Sequence, residues 1–150
     1  IDKKLVRANI FLPDYEEARN GCAFKLFMPP QLRKNMDYRQ EWELRFWPGE
    51  GATGTCFMEG QKRVTLEKDF ALRAEHRTSI HPELKWIISL PLKKKGQNTV
   101  AVLNVDALRQ VINEATLDQF ADKLMLMQEF VELEKQIQKL PCCKIGIALT

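Results

Sequence analysis

Residues Gly49-Glu-Gly51-Ala-Thr-Gly54 fit the pattern GxGxxG. Glycines at this spacing let the backbone turn sharply and present the amides of a helix N-terminus to an anionic or hydrogen-bonding ligand group. Glu67 and Asp69 follow near the distance at which a dinucleotide-binding fold places its ribose-binding acid. The segment before the turn argues against that fold. Gln40, Trp42, Leu44 and Phe46 alternate with Arg39, Glu41, Glu43 and Arg45, whereas the first strand of a dinucleotide fold is buried on both faces. Pro48 intervenes, and no second regular strand–helix unit follows. The turn therefore reads as a place to hold a ligand group outside a dinucleotide fold.

The densest polar collection lies between Glu67 and Glu83 and contains Asp69, Arg73, Glu75, His76, Arg77 and His81. His76 and His81 are five residues apart, which does not put them on one helical face, and no Cys is close in sequence, so no metal centre is expected. The segment reads as a solvated loop or as a lid over a pocket. The cysteines are Cys22, Cys56 and the pair Cys142-Cys143, without CxxC spacing, which suits reduced thiols. A nucleophile elbow, an HExxH pair, a Walker-type loop and a Ser/His/Asp set are all missing, and the expectation is that the chain is not an enzyme.

Periodicity predicts the elements that hold these residues. Val6, Ala8, Ile10 and Leu12 alternate with Arg7 and Asn9, a strand over Leu5 to Leu12 with one buried face, ended by Pro13-Asp14. A second apolar run from Cys22 to Met28 would pair with it across a turn-like Glu16 to Gly21. Residues 39–46 give a third strand, and Ala52 to Glu59 a helix. Trp86 to Leu92 and Thr99 to Val105 are apolar on both parities, hence central strands, joined in a hairpin around Lys95-Gly96 with Pro91 at a bulge or non-bonded position. Thr116-Leu-Asp-Gln119 fits a capping box. Leu117, Phe120, Leu124, Met127 and Val131 recur at spacings of three and four, then Phe130, Leu133, Ile137 and Leu140 after a shift in phase. One helix from about Thr116 to Lys139 would be about 36 Å long at 1.5 Å per residue, so its second half is expected to leave the body and pair with another chain or lead into a further domain.

With 150 residues, 45% hydrophobic and 29% charged, the chain is expected to form a single α+β domain over residues 1–150. The balance of 23 Lys+Arg against 20 Asp+Glu is too even for a nucleic-acid footprint, and Lys93-Lys94-Lys95 reads as a solvated turn. No apolar run approaches the ~20 residues needed to cross a bilayer, and the N-terminus lacks a secretory h-region. A cytoplasmic protein that neither inserts into membranes nor binds nucleic acid is expected. Because the first residue is Ile and not Met, a processed or excised piece of a larger protein is the expectation.

Three stretches in order carry a resemblance: Trp47-Pro-Gly-Glu-Gly-Ala-Thr-Gly-Thr-Cys-Phe57, Trp86-Ile-Ile-Ser-Leu-Pro-Leu92, and Val100-Ala-Val-Leu-Asn-Val-Asp106, followed by the helical C-terminal third. Together they resemble the GAF domain family. Ala101 stands where that family usually has Gly, Trp86 where a small residue is common, and Ala107 where it has Ser. The resemblance implies a profilin-like α+β fold, with a central antiparallel sheet of five or six strands and helices on its faces. It also implies a sensory or regulatory module that binds an unidentified small molecule between the sheet and the loops joining its third and fourth strands; with the long C-terminal helix read above, the module is expected to bind that molecule or to signal through a homodimer formed by this helix. It leaves the cofactor unidentified. On this likeness Ala52 and Thr53 supply backbone contacts to the ligand, with Phe46 and Phe70 as looser matches. Trp86 is added for its π-face, which can stack on a planar ligand, although ordinary core packing competes as the role of these aromatics. Two alternatives stand beside this reading. One is a ligand-free interaction module whose pocket is filled by aromatics. The other is a thiol-dependent reductase of free methionine sulfoxide, a branch that places a Cys where this chain has Thr53 and further cysteines where this chain has none between Cys56 and Cys142.

Overall fold

The structure is a computed structural model, and it describes residues 2–70, 74–94 and 98–140. The first alternating run forms β1 (Val6–Pro13). Asp14 then caps α1 (Tyr15–Arg19), its Oδ1 accepting from the amides of Glu16 at 3.0 Å and Glu17 at 3.2 Å, so the expected turn is mostly a short helix. There follow β2 (Leu26–Phe27), β3 (Arg33–Lys34), β4 (Arg45–Phe46), α2 (Gly51–Glu59), β5 (Arg63–Leu66) and α3 (Ala74–Arg77). The long strands β6 (Leu84–Lys94) and β7 (Asn98–Leu108) lead to α4 (Glu114–Leu126) and α5 (Gln128–Ile137).

Among the described residues the strands form one antiparallel sheet in the order β4-β2-β1-β7-β6-β5, with β3 attached to β1 on the same edge as β2. This is the expected α+β architecture. Six strands lie on the continuous path, and β3 is an addition to it. The paired strands β6 and β7 sit at the centre as their two-sided apolar character requires. Pro91 lies beyond Ser89, the last β6 residue that β5 pairs, and next to the irregularity at Leu92/Lys93. The connection at Lys95-Gly96 lies outside the described residues, as do Arg73 and Cys142-Cys143.

The period of two sorts the sheet into two faces. Ile10 and Leu12 of β1, Trp86, Ile88, Leu90 and Leu92 of β6, and Leu103, Val105 and Ala107 of β7 pack against Leu117, Ala121, Phe130 and Ile137 of the C-terminal helices. The other face carries Arg7, Asn9 and Phe11, which pair in register with Asp106, Asn104 and Val102; Ile87 and Ser89 of β6 continue the first two rows. It is covered by α2 and by residues 28–46, whose Met28, Met36, Leu44 and Phe46 cluster with Phe11 and Leu26. Arg7 and Asn9 are therefore buried and not on a solvent face.

Residues 39–46 are not a strand: Arg39–Glu41 form one 3-10 turn and only Arg45–Phe46 pair with β2. Glu41, expected among outward charges, is 2% exposed because it is drawn to Arg7. The second strand shrinks to Leu26–Phe27. The C-terminal helix is two helices, broken at Met127, whose ψ of 143° is extended. Asn113 and not Thr116 caps the first of them, its Oδ1 accepting from the Thr116 amide at 2.8 Å. The phase shift in the apolar stripe marks this break. After it α5 turns Phe130 and Ile137 into the core. Glu134 accepts from the Lys93 amide at 2.8 Å and Gln138 donates to the Lys93 carbonyl at 2.9 Å, so the second half stays on the body.

Candidate functional site

The glycine turn folds by its own hydrogen bonds. Gly49 and Gly51 adopt φ of +88° and +63°, which an L side chain rarely takes. The Gly49 amide donates to the Gly54 carbonyl at 2.7 Å, the Gly54 amide donates to the Glu50 carbonyl at 2.9 Å, and the Trp47 amide donates to Glu50 Oε1 at 3.1 Å. A Cβ on Gly54 would lie 2.2 Å from the Trp47 carbonyl oxygen, so the third glycine is required by close approach of backbone. Glu50 stands at the N-cap of α2 without capping it; its carboxylate lies 3.9 Å from His76 Nδ1.

Outside the turn an open cleft of about 420 Å³ is bounded by Trp47, Ala52 and Met58 on one side and Arg63, Thr65 and Asp69 on the other. Inside it, between α2 and the sheet, lies a layer of buried polar side chains. Arg7 Nε and Nη2 donate to Asp106 Oδ1 at 2.7 Å and Oδ2 at 3.1 Å. Arg7 Nη1 and Nη2 donate to Glu41 Oε1 at 2.5 Å and Oε2 at 3.2 Å. The guanidinium thus forks onto two carboxylates, leaving a buried cluster of one positive and two negative charges. Beside it, Ser89 Oγ donates to Asn104 Oδ1 at 2.7 Å, and Asn104 Nδ2 donates to Asn9 Oδ1 at 3.1 Å and to Thr53 Oγ1 at 2.9 Å. The sheet is thereby bonded to the first turn of α2. A cavity of about 40 Å³ remains among these groups, closed by Met36, Leu44, Phe46 and Ile80.

The electrostatics follow from burial. Burial alone would favour a neutral Arg7, yet its bonds to Glu41 and Asp106 outweigh that and raise its pKa above the ordinary guanidinium value. Burial pushes Asp106 up to about 6, with Arg7 acting against this and Glu41 adding to it. The cover is held to the cluster through Glu41, which also accepts from the His81 amide at 3.3 Å. The Tyr38 and His81 rings lie 4.8 Å apart, and Phe46 meets His76 edge-on at 5.2 Å. Cys56 is buried in α2, and burial pushes its thiol up to about 12. Among the described residues no group of His, Cys, Asp and Glu is placed to hold a metal ion, and no helix is long and apolar enough to cross a membrane.

No protein-family model and no curated protein matches the sequence. Solved structures do match in three dimensions. A type II free methionine-R-sulfoxide reductase from Thermoplasma acidophilum superposes with a TM-score of 0.58 at 9% identity, over 89% of this chain and 82% of that one. A GAF domain from A. aeolicus in an inactive state does so with a TM-score of 0.57 at 16% identity, over 90% and 76%. The free methionine-R-sulfoxide reductase of Neisseria meningitidis, in complex with its substrate, gives 0.56 at 17%, over 89% and 71%. The chain has a GAF-like fold. At these identities the likeness is one of fold.

Within the GAF-like fold, the residues singled out from sequence fall in three places. Phe46 and Thr53 line the inner cavity. Ala52, one residue from Thr53, faces the outer cleft. Phe70 follows the Glu67–Asp69 turn, half-buried, and among the described residues lines neither space. Trp86 lies on the opposite sheet face, 1% exposed, packed under the C-terminal helices. The structure also places Glu41, Asn104 and Asp106 at the inner cavity, with Arg7 behind them bonded to Glu41 and Asp106, and the sequence reading selected none of the four. A signal for them exists: polar residues at alternate positions of otherwise apolar strands, Arg7 and Asn9 in β1 and Asn104 and Asp106 in β7, in register with each other.

Proposed function

We propose that this chain is a cytoplasmic, non-catalytic regulatory module that senses a small polar molecule in the chamber between α2 and the sheet. The observation that carries the reading is the buried Arg7–Glu41–Asp106 cluster, which joins the floor of the chamber to its cover. A small zwitterion suits it: a ligand carboxylate replaces Glu41 on Arg7, and a ligand ammonium takes the freed negative charge of Glu41 or Asp106. The exchange keeps every buried charge paired, as a low-dielectric site demands. With only about 40 Å³ free, entry requires the cover from Met36 to Phe46 to move, and that coupling is what makes a bound molecule a signal. The fold neighbours include reductases of a free amino acid derivative, one in complex with its substrate, which accords with an amino-acid-sized guest. A thiol mechanism is disfavoured by Cys56, which is buried and far from thiolate character at neutral pH. Thermal-shift and calorimetric titration with free amino acids, beside small dicarboxylates that lack the ammonium, tests the reading. A stabiliser whose effect vanishes in Arg7→Met/Glu41→Gln/Asp106→Asn, which removes the charges of the cluster while keeping its shape, is expected, and the absence of any stabiliser from the panel counts against it.

The smallness of the chamber and the exposed apolar residues Leu126, Met127 and Val131 at the α4–α5 elbow favour a second reading, a ligand-free module that works by homodimerisation through its C-terminal helices. Sedimentation of Leu126→Glu/Val131→Glu separates the two, since under this second reading a dimer is lost while under the first the thermal shift is retained.

A further inference from the structure

The sheet face opposite the polar layer is only partly roofed by α4 and α5. Beside Phe120 a separate cleft of about 430 Å³ opens over the start of β1. Trp86 forms its floor, half-buried Val6, Ala8 and Phe120 its walls, and exposed Lys3 and Lys34 stand at its rim; Asn35 and the buried Arg7 complete the lining. No Asp or Glu lines it, and neither lysine takes part in an ion pair among the described residues. Two exposed ammonium groups thus border an apolar recess of the size that takes small organic ligands, roughly 300–1,000 Å³, while the third cation, Arg7, is already paired with Glu41 and Asp106.

We propose that this cleft binds a hydrophobic monocarboxylate, with its apolar body against Val6, Ala8, Phe120 and Trp86 and its carboxylate between Lys3 and Lys34. The charge pattern selects this class. A cation would meet two like charges, and a neutral apolar molecule would bury the walls while forgoing both lysines. A polyanion such as a nucleoside triphosphate would find two rim cations only and would lay phosphates on apolar walls, which leaves them without hydrogen bonds. A single carboxylate on an apolar body satisfies both parts of the site. The walls Val6, Ala8 and Trp86 belong to the sheet face opposite the polar chamber; Arg7 borders the cleft but its guanidinium is taken up by Glu41 and Asp106, so the proposed carboxylate site at Lys3 and Lys34 does not rest on the function proposed above.

The test uses the full chain, 15N-labelled, titrated with decanoate and with 1-naphthoate, each beside its uncharged counterpart, decanol and 1-naphthalenemethanol. The indole N–H resonance of Trp86, identified by its loss in Trp86→Phe, is the reporter; this N–H has no acceptor among the described residues. We expect at least one acid to shift it saturably, to bind about tenfold or more tightly than its alcohol, and to weaken about tenfold in Lys3→Glu/Lys34→Glu. The acid that binds better tells whether the body is alkyl or aryl. Ala8→Met, which fills the cleft from its wall, should abolish the shift while the remaining spectrum stays that of the folded chain. The proposal is overturned if neither acid shifts the Trp86 resonance, if the alcohols bind as tightly as the acids, or if charge reversal leaves the affinity unchanged.

Discussion

Replacing Arg7 by Met removes the one cation between two carboxylates that are both almost wholly buried. Methionine fills much of the aliphatic volume, so the loss is electrostatic more than steric. Four hydrogen bonds disappear, at 2.5, 2.7, 3.1 and 3.2 Å, and Asp106 and Glu41 are left facing each other without a counter-charge. Breaking a buried pair from one side costs about 3–5 kcal/mol, a large share of the ~5–15 kcal/mol expected of a domain. Two features sharpen the expectation. The cost should shrink as pH falls and the stranded carboxylates take up protons. It should also shrink in Arg7→Met/Glu41→Gln/Asp106→Asn, where no charge is stranded, because an uncharged cluster of similar shape is often as stable as a buried salt bridge. Urea unfolding followed by tryptophan fluorescence and circular dichroism at neutral pH and near pH 5 gives all three values. A loss under about 1 kcal/mol for Arg7→Met at neutral pH, or a triple variant less stable than the single one, would refute the view that the cluster is dry and mutually dependent.

Asp106 carries a pH signature of its own. Its folded pKa of about 6 lies above the ordinary 3.8, so the folded chain holds this proton more tightly than the unfolded chain does. The group's contribution is therefore complete below about pH 4 and lost as pH rises through 6, a swing on the order of 2–3 kcal/mol. Asp106→Asn does not titrate, so its stability relative to the parent should improve as pH rises across that window; parallel curves in urea unfolding would contradict this. Gly54→Ala should destabilise by about 2–3 kcal/mol in the same assay, because the added Cβ meets the Trp47 carbonyl, whereas an unobstructed helix would gain about 1 kcal/mol from the change. Under native conditions Cys56 should resist alkylation while exposed Cys22 reacts, as read by peptide mass spectrometry; comparable rates for the two would place Cys56 outside the core.

What was legible in the sequence was whatever a single period or a single backbone constraint dictates. The two-sided apolar runs around Ile88 and Val102 could only be central strands, and the three glycines from Gly49 to Gly54 could only be a tight turn into a helix. The failures come from interactions across the fold. Residues 39–46 alternate cleanly, yet Glu41 is pulled inward by a partner 34 positions away, and the pairing with Arg7 costs the segment its strand. The apolar stripe through the last third is helical on both sides of Met127, but the residues that must reach β6 lie on a different face after it than before it. A break satisfies both halves where one straight helix cannot. The candidate site was half visible for the same reason. Thr53 and Phe46 belong to local motifs, whereas Arg7 and Asp106 become partners only once β1 lies beside β7.

The polar layer itself calls for an explanation beyond stability. One register step along from Arg7 and Asn9, the same sheet face carries Phe11 against Val102 and packs as ordinary apolar core, so nothing in the geometry of these strands requires charge. A dry ion cluster is commonly no more stable than the hydrophobic residues that would fill its volume. The position of this one is informative. Arg7 and Asp106 belong to the rigid centre of the sheet, while Glu41 belongs to a 3-10 turn in the cover and is bonded in turn to the His81 backbone. Each carboxylate alone could pair with Arg7; the presence of two means that one can leave without stranding the guanidinium, which retains its fork on Asp106. That asymmetry makes Glu41 the replaceable member. Under the proposed function, a guest carboxylate that takes its place on Arg7 would release the cover while the floor stays neutralised. An apolar layer would hold the two halves together at least as well, but with no such point of exchange.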